Sequence, residues 1–212
     1  MDQAKFGCPR AKVIKESKDF SSFNRPRLHL NGLIAHGHFI MISMSDPNVK
    51  KDSSGTIDMI AAALTKLHKK GVNLKTMPLV LQLDNTSREN KNNAVLKFLA
   101  AAVSCRLVHS ASARFLMTGH THEDIDQMFG QLATFLARQG TLETPSDFLK
   151  VIHSWLSSMQ KAHEPHRCIE HVNNTHAWKE YLDKMDVHVT GIGGPGAPHE
   201  FKFERYEGLE GR

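Results

Sequence analysis

The sequence predicts an α/β fold built on a five-stranded mixed sheet with helices on both faces. Three observations lead to this prediction. Short apolar runs bounded by turn residues recur along residues 1–160. Segments with apolar residues at helical spacing separate these runs. Some of the runs are continuous rather than alternating, which is typical of strands buried on both faces. The predicted order is β-β-α-β-α-β-α-α, with room for a partial strand before the first.

The first two predicted strands lie close enough together to form a hairpin. Residues 27–37, RLHLNGLIAHG, contain a partial alternation and end in glycine. Residues 38–46 give a stronger signal, because HFIMISMSD is a continuous apolar run closed by Ser and Asp. A helix follows within residues 52–71, where Gly71 stops the helical pattern. Its apolar positions share one face and are Ile57, Ile60, Ala61, Leu64 and Leu67.

The next elements alternate between strand and helix. Residues 78–85 form a short strand of the buried type, and residues 89–105 form a second helix. A further strand lies within residues 106–119. A third helix follows with Thr121 as its N-cap, and a fourth begins near Thr144 with Ser146 as its candidate cap. The apolar stripe of the third helix is Ile125, Met128, Phe129, Leu132 and Leu136.

The pattern changes after the fourth helix. Residues 161–176 are polar and rich in histidine, and residues 187–208 look like two strands around a Gly/Pro turn. We therefore expect a core domain at residues 1–160, followed at residues 161–212 by the histidine-rich segment and a small β-hairpin-like appendage, whose completeness the sequence leaves open.

Cysteine spacing and apolar run lengths argue against disulfide-rich, membrane-spanning and secreted classes of protein. The three cysteines are far apart and form no CxxC pair, which indicates reduced, intracellular thiols. No apolar run reaches the roughly 18 residues of a membrane span, so no membrane partner is expected. The opening residues have no apolar core of a secretory signal. The formal net charge of +5 is compatible with a polyanionic partner.

Two acidic motifs follow predicted strands. LQLDNTSRENKN places Asp84 at a strand end, and GHTHEDID places Asp126 in the first turns of the next helix. Functional groups in open α/β sheets gather at the carboxyl ends of strands. Converging carboxylates repel unless a cation lies between them, and hard oxygen ligands favour Mg²⁺ or Mn²⁺. His120 or His122 would position water or contact a phosphate.

A structural explanation of the same residues stays open. Acids in the first turn of a helix suit its dipole, and Asp-Asn after a strand is a common turn. From spacing alone, the residues support both interpretations.

The two motifs together resemble a transposon-derived domain of unassigned function, which looks like the ribonuclease H-like DDE transposase and integrase superfamily. The residues that carry this resemblance are LQLDNTSRENKNN, FLMTGHTHEDIDQMFG and the opening MDQAKFGCPR. It covers most of residues 1–160. The resemblance implies a ribonuclease H-like sheet whose first strand, from Met1 to about Phe6, is truncated.

The resemblance also implies a catalytic site with three acidic metal ligands. Asp84 and Asp126 match the second and third acids, and His120 matches the histidine that accompanies the third. Asp2 is the candidate first acid, although the family pattern often carries another acid just upstream. The implied activity is Mg²⁺- or Mn²⁺-dependent cleavage or strand transfer of DNA, active or decayed. An intracellular, nuclear location follows from the DNA substrate.

Three further expectations complete the prediction. Arg88, Lys91 and Lys97 near the second motif would contact DNA phosphates, although such charges are more often a solvated helix face. A non-catalytic descendant that binds nucleic acid or protein is the alternative to an enzyme, and the sequence leaves the oligomeric state open. Zinc binding is a weaker alternative, suggested by His163, His166, Cys168, His171 and His176.

Overall fold

A computed structural model gives the fold. It describes residues 2–8, 27–116, 124–159, 166–185, 189–194 and 196–205. Contacts divide the chain into two compact units, each built from two segments. Unit 1 consists of Met1–Lys50 and His122–Asn174, and unit 2 consists of Lys51–Thr121 and Thr175–Arg212.

The secondary structure contains seven strands, five α-helices and one short 3₁₀-helix among the described residues. In chain order these are β1 (Asp2–Gly7), β2 (Arg27–Ala35), β3 (Phe39–Ser45), α1 (Ser53–Lys69), the 3₁₀-helix (Leu74–Thr76), β4 (Pro78–Leu83), α2 (Asn93–Ser104), β5 (Ser110–Phe115), α3 (Asp124–Ala137), α4 (Pro145–Ser158), β6 (His166–Val172), α5 (Trp178–Leu182) and β7 (Glu200–Phe203).

Unit 1 contains a four-stranded mixed sheet with the order β1-β2-β3-β6. Both β1 and β3 pair antiparallel with β2, and β6 lies parallel to β3. Alternate residues of the central strands, including Leu28, Leu30, Ile42 and Met44, join one core cluster with helices α3 and α4. The amphipathic stripe predicted for α3 is confirmed, because all five of its apolar residues are buried.

Gly32 lets helix α3 approach the sheet of unit 1. A Cβ atom at Gly32 would lie 2.9 Å from Cε of Met128, 3.0 Å from Cδ1 of Ile125 and 3.0 Å from Cε2 of Phe129. Any side chain at this position would therefore overlap the apolar face of α3. The missing side chain sets the distance between α3 and β2.

Unit 2 contains a three-stranded mixed sheet with the order β4-β5-β7. Strands β4 and β5 are parallel, and β7 is antiparallel to β5. Helix α2 contacts both β5 and α1, and six consecutive residues from Ala94 to Leu99 are buried in it. Helix α5 contacts α1 and α2.

The α/β class and the predicted order of elements are confirmed, but the single five-stranded ribonuclease H-like sheet is wrong. The strands divide into sheets of four and three, and β4 lies at the edge of its sheet. Apolar runs bounded by turn residues show where a strand lies in the sequence. The strand with which it pairs depends on contacts between residues that are far apart in the chain. Strand β4 also differs from its predicted buried type, since Val80 is 53% exposed.

Of the hairpin predicted within residues 187–208, the described residues form one strand, β7, which pairs with β5 in unit 2. Strand β6 lies in the histidine-rich segment, where no strand is predicted, and pairs with β3 in unit 1. The expected boundary near residue 160 therefore does not coincide with the boundaries of the two units. Among the described residues, no helix combines the length and the apolar character needed to cross a membrane.

A capping box starts helix α4. Thr144 Oγ1 accepts a hydrogen bond from Asp147 N at 3.2 Å, and Asp147 Oδ2 accepts from Thr144 N at 2.9 Å. Asp147 Oδ2 also accepts bonds from Thr144 Oγ1 at 2.9 Å and from Glu143 N at 3.2 Å. The backbone and hydroxyl donors of Thr144, followed by Glu143 N, lower the pKa of Asp147.

This lowered pKa predicts an acid-dependent loss of stability. The contribution of ionised Asp147 is present above its unfolded-state pKa, about 3.9, and is lost as pH falls through the lower folded-state pKa. We expect Asp147→Asn to lower the free energy of unfolding at pH 7, and the difference from wild type to shrink below pH 4. Urea unfolding across this range measures it, with Glu143→Gln as the control. A difference that is constant between pH 7 and pH 2.5 would contradict the assignment.

Candidate functional site

The carboxyl ends of β4 and β5 define the candidate site in unit 2. The two strands run parallel, with Leu83 opposite Phe115, and Leu116 N donates a hydrogen bond to Leu83 O at 3.2 Å. Asp84 follows the end of β4, and the segment with His120 and His122 follows the end of β5. The strands that precede the two acidic motifs are therefore parallel neighbours, while residues 117–123, where the second motif begins, lie outside the described residues.

Asp84 presents an exposed carboxylate at this edge. The hydroxyl of Thr86 donates a hydrogen bond to Oδ2 of Asp84. Thr86 also begins a tight turn, because its carbonyl accepts bonds from the backbone N–H groups of Glu89, Asn90 and Lys91 at 3.3, 2.8 and 3.0 Å. The side chain of Asp84 is therefore oriented by a neighbour that the loop itself fixes.

Buried polar contacts connect the loop after Asp84 to helix α1. Thr56 Oγ1 donates a hydrogen bond to Asn90 Oδ1 at 3.0 Å, and both residues are 2% exposed. Lys51 Nζ lies 3.0 Å from Glu89 Oε1, an ion pair with buried Glu89. Asn92 then caps α2 by accepting a bond from Val95 N at 3.2 Å. Because buried polar groups need partners, this network favours one loop conformation.

The three predicted phosphate contacts occupy different environments. Arg88 is exposed in the loop turn, whereas Lys91 and Lys97 are 7% and 6% exposed. Lys91 Nζ lies 5.6 Å from the centre of the Phe115 ring, a cation–π distance. Lys97 Nζ donates to the carbonyl oxygens of Leu182 and Met185 at 3.3 and 3.4 Å. The phosphate contacts remain predictions, but the amino groups of both lysines have partners inside unit 2.

The remaining predicted residues belong to unit 1 or lie outside the described residues. Asp126 is half-buried in the first turn of α3, beside the exposed Asp124. Asp2 begins strand β1, where it pairs in register with Gly32. His120 and His122 lie outside the described residues, as does the predicted N-cap Thr121. Asp84 thus belongs to one unit, while Asp2 and Asp126 belong to the other.

The structure does not bring the candidate zinc ligands of β6 to one face. Cys168 is opposite Met41 and His171 is opposite Met44 in the β3–β6 register, so their side chains point to opposite faces. His171 Nε2 lies 3.0 Å from Asp46 Oδ1. Among the described residues, no group of three or more His, Cys, Asp or Glu side chains is arranged to hold a metal ion.

Sequence reasoning missed a polar cluster around Asp58 in unit 2. The carboxylate of Asp58 accepts bonds from His176 N at 3.0 Å, His176 Nδ1 at 2.6 Å and Trp178 Nε1 at 2.6 Å. The Trp178 ring also packs edge-on against Phe98, with centroids 5.4 Å apart. The carboxylate thereby holds the segment that leads into α5 against α1. No local pattern marks these contacts, because they join residues 118 and 120 positions apart.

Comparisons with known proteins place the chain in one family. Residues 18–210 match the family described as "Domain of unknown function (DUF7869)". No curated protein matches the chain, and neither does any solved structure.

Proposed function

The chain belongs to the DUF7869 family, and we propose that it is a transposase- or integrase-derived domain for metal-dependent cleavage or strand transfer of DNA. The observation that carries this proposal is the edge formed by β4 and β5. Asp84 is an exposed carboxylate directly after β4, and the GHTHED motif follows the parallel neighbour β5. Ligand-binding groups of α/β proteins collect at such carboxyl edges.

The residues proposed for the site have oxygen chemistry that suits a hard cation. The carboxylates of Asp2, Asp84 and Asp126 would bind Mg²⁺ or Mn²⁺, ions that prefer carboxylate oxygen and water as ligands. When bound, such an ion supplies charge stabilisation at the phosphodiester. This ligand set includes one residue, Asp2, whose side-chain placement is outside the described part of the structure.

The chain's own groups have separate roles in this proposal. Thr86 donates its hydroxyl hydrogen to Asp84 and so fixes the orientation of that carboxylate. His120 or His122 would position the attacking water or contact a phosphate oxygen. Exposed Arg88 would contact the DNA backbone from a loop that Asn90 connects to α1 and Glu89 connects to Lys51. A nuclear location follows from the proposed substrate.

The proposal predicts that two aspartates, and not their neighbour, control activity. We expect Asp84→Asn and Asp126→Asn each to lower Mn²⁺-dependent cleavage of a labelled DNA duplex by at least about 100-fold, because each removes a metal ligand. Asp124→Asn is the matched control, since this exposed acid lies in the same turn of α3 as Asp126. It should retain activity within a few-fold of wild type.

Two results would overturn the proposal in different ways. Equal cleavage by wild type and Asp84→Asn would show that the activity comes from a contaminant. Absence of cleavage by the wild type, with DNA or protein binding intact, would instead identify a non-catalytic descendant. Mn²⁺ binding measured by calorimetry on the same variants separates loss of the metal site from loss of a later step.

A further inference from the structure

Charge is strongly segregated along the part of the chain that builds most of unit 2. Residues 59–122 contain nine lysines and arginines but only two acids, Asp84 and Glu89. The whole chain, in contrast, has 27 basic and 22 acidic residues. Both acids belong to the loop at the carboxyl edge of the sheet, and Glu89 is buried beside Lys51. Outside this loop, residues 59–122 therefore contain basic residues but no acidic residue that could neutralise their charge.

Several of these cations are exposed at the opposite, amino edge of the same sheet. Lys69 ends α1, Lys75 lies in the 3₁₀-helix before β4, and Arg106 lies between α2 and β5; all three are exposed. Because β4 and β5 are parallel, the connections that precede them lie at one edge. A hydrogen bond from His109 N to Leu74 O, 3.2 Å long, joins the two connections directly. We call Lys69, Lys75 and Arg106, with the exposed histidines His68 and His109, the basic edge.

The backbone at Arg106 is unusual for the residue that occupies it. Its φ angle is +57°, and it is the one non-glycine residue with positive φ among those described. Leu107 N donates to Ala102 O at 2.9 Å and Arg106 N donates to Val103 O at 3.1 Å, which together end α2. Glycine usually occupies this left-handed position after a helix, because it has no Cβ atom. An exposed arginine here costs backbone energy without a buried contact to offset it, which suggests a role for its charge.

We propose that the basic edge binds the phosphate backbone of DNA. Three fixed positive charges, with no acidic residue in either connection, would neutralise successive phosphates and release their counterions. The choice of DNA as the polyanion rests on the proposed function. This surface is separate from the edge that carries Asp84, and it places DNA contacts on exposed cations rather than on buried Lys91 and Lys97.

An acidic protein is the competing partner for this surface. Met77 and Leu107 lie at the same edge and are 50% and 55% exposed, so an amphipathic acidic segment could also contact them. A phosphate backbone needs only the cations, and its binding must depend steeply on salt. The two partners therefore make different predictions for competition.

The test compares two triple variants that remove the same charge. The first, Lys69→Gln, Lys75→Gln and Arg106→Gln, neutralises the basic edge. The matched control, Arg138→Gln, Lys150→Gln and Lys179→Gln, removes two lysines and one arginine that are exposed elsewhere. Binding of a fluorescein-labelled 20-base-pair duplex is measured by anisotropy from 50 to 300 mM salt. EDTA is present throughout, so the result does not depend on a metal site.

We expect the basic-edge variant to bind about 100-fold more weakly near 0.1 M salt, because each lost phosphate contact removes about 0.9 from the salt slope. The control variant should bind within about threefold of wild type. Equal weakening of both variants, or wild-type affinity of the basic-edge variant, would overturn the proposal. It would also be overturned if a polyglutamate peptide displaced the duplex at lower concentration than unlabelled duplex does.

Arg106→Gly separates binding from folding. We expect this variant to bind the duplex about fivefold more weakly, with a salt slope smaller by about 1. Its melting temperature should equal or exceed that of wild type, because glycine relieves the left-handed backbone. A wild-type affinity for the duplex in this variant would contradict the proposed contact between Arg106 and a phosphate. Cleavage by wild type with no effect of any basic-edge change would refute this inference and leave the proposed function intact.

Discussion

Asp58→Ala should lower the free energy of unfolding by about 3 kcal/mol. The carboxylate of Asp58 accepts three hydrogen bonds, from His176 N, His176 Nδ1 and Trp178 Nε1, and its side chain is 21% exposed. Hydrogen bonds to charged groups contribute about 1.5–3 kcal/mol each, but the three share one carboxylate and are not additive. The substitution leaves the donors of His176 and of Trp178, the first residue of α5, without this acceptor.

Asp183→Ala is the control for this prediction. Asp183 lies 4.0 Å from Lys97 Nζ, but its side chain is 59% exposed, so we expect a loss of less than about 1 kcal/mol. Urea unfolding measures both changes. The chain has two tryptophans, so a Trp155→Phe background assigns the fluorescence to Trp178. A red shift of that emission in Asp58→Ala would show that the ring has left its contact with Phe98; equal losses in both variants would contradict the role of Asp58.

Gly32→Val should lower the free energy of unfolding by about 2–3 kcal/mol. Even a Cβ atom at this position would lie 2.9–3.0 Å from side-chain atoms of Met128, Ile125 and Phe129. Overpacking of this kind typically costs about 1–3 kcal/mol, and the branched side chain of valine falls at the upper end. Gly32→Ala should cost about 1 kcal/mol, since the tip of Met128 can move. Thermal or urea unfolding provides the measurement.

A glycine in helix α3, the helix that faces Gly32, gives the opposite expectation. Gly130 is exposed in the middle of α3, and apart from its chain neighbours and the nearby backbone of the helix itself, a Cβ atom there would meet no atom within 4 Å. Gly130→Ala should therefore stabilise the protein by up to about 1 kcal/mol through helix propensity. Combining Gly32→Val with Met128→Ala should cost less than the sum of the two single changes. Strict additivity would show that Gly32 and Met128 do not compete for the same space.

Local patterns in the sequence were sufficient to predict most helices and strands. The spacing of apolar residues identifies α1 and α3, and the fourth helix begins near Thr144 as predicted, although its N-cap is Thr144 and not Ser146. The position of Asp84 after a strand also follows from the local sequence. These features depend on residues within one or two turns of each other, which is the range over which periodicity and capping act.

Features that depend on distant partners were not predictable in the same way. Strand β6 reads HRCIEHV and was assigned to a polar histidine-rich segment, yet it pairs with β3, more than 120 residues earlier. Lys97 is a second case. Its carbonyl partners, at Leu182 and Met185, are 85 and 88 positions away, so the local sequence predicts a phosphate contact and not these bonds. The run of apolar residues around Lys97 was the available signal that it would be buried.

The order in which the two units use the chain has a consequence for synthesis. Each unit takes one segment from residues 1–121 and another from residues 122–212. Strands β6 and β7 emerge from the ribosome after every strand with which they pair. The sheet of unit 1 can therefore be completed only after β6 has been synthesised, and that of unit 2 only after β7. No single cut in the chain releases an entire unit. Closing such long loops is slow, which makes the nascent chain dependent on protection from aggregation.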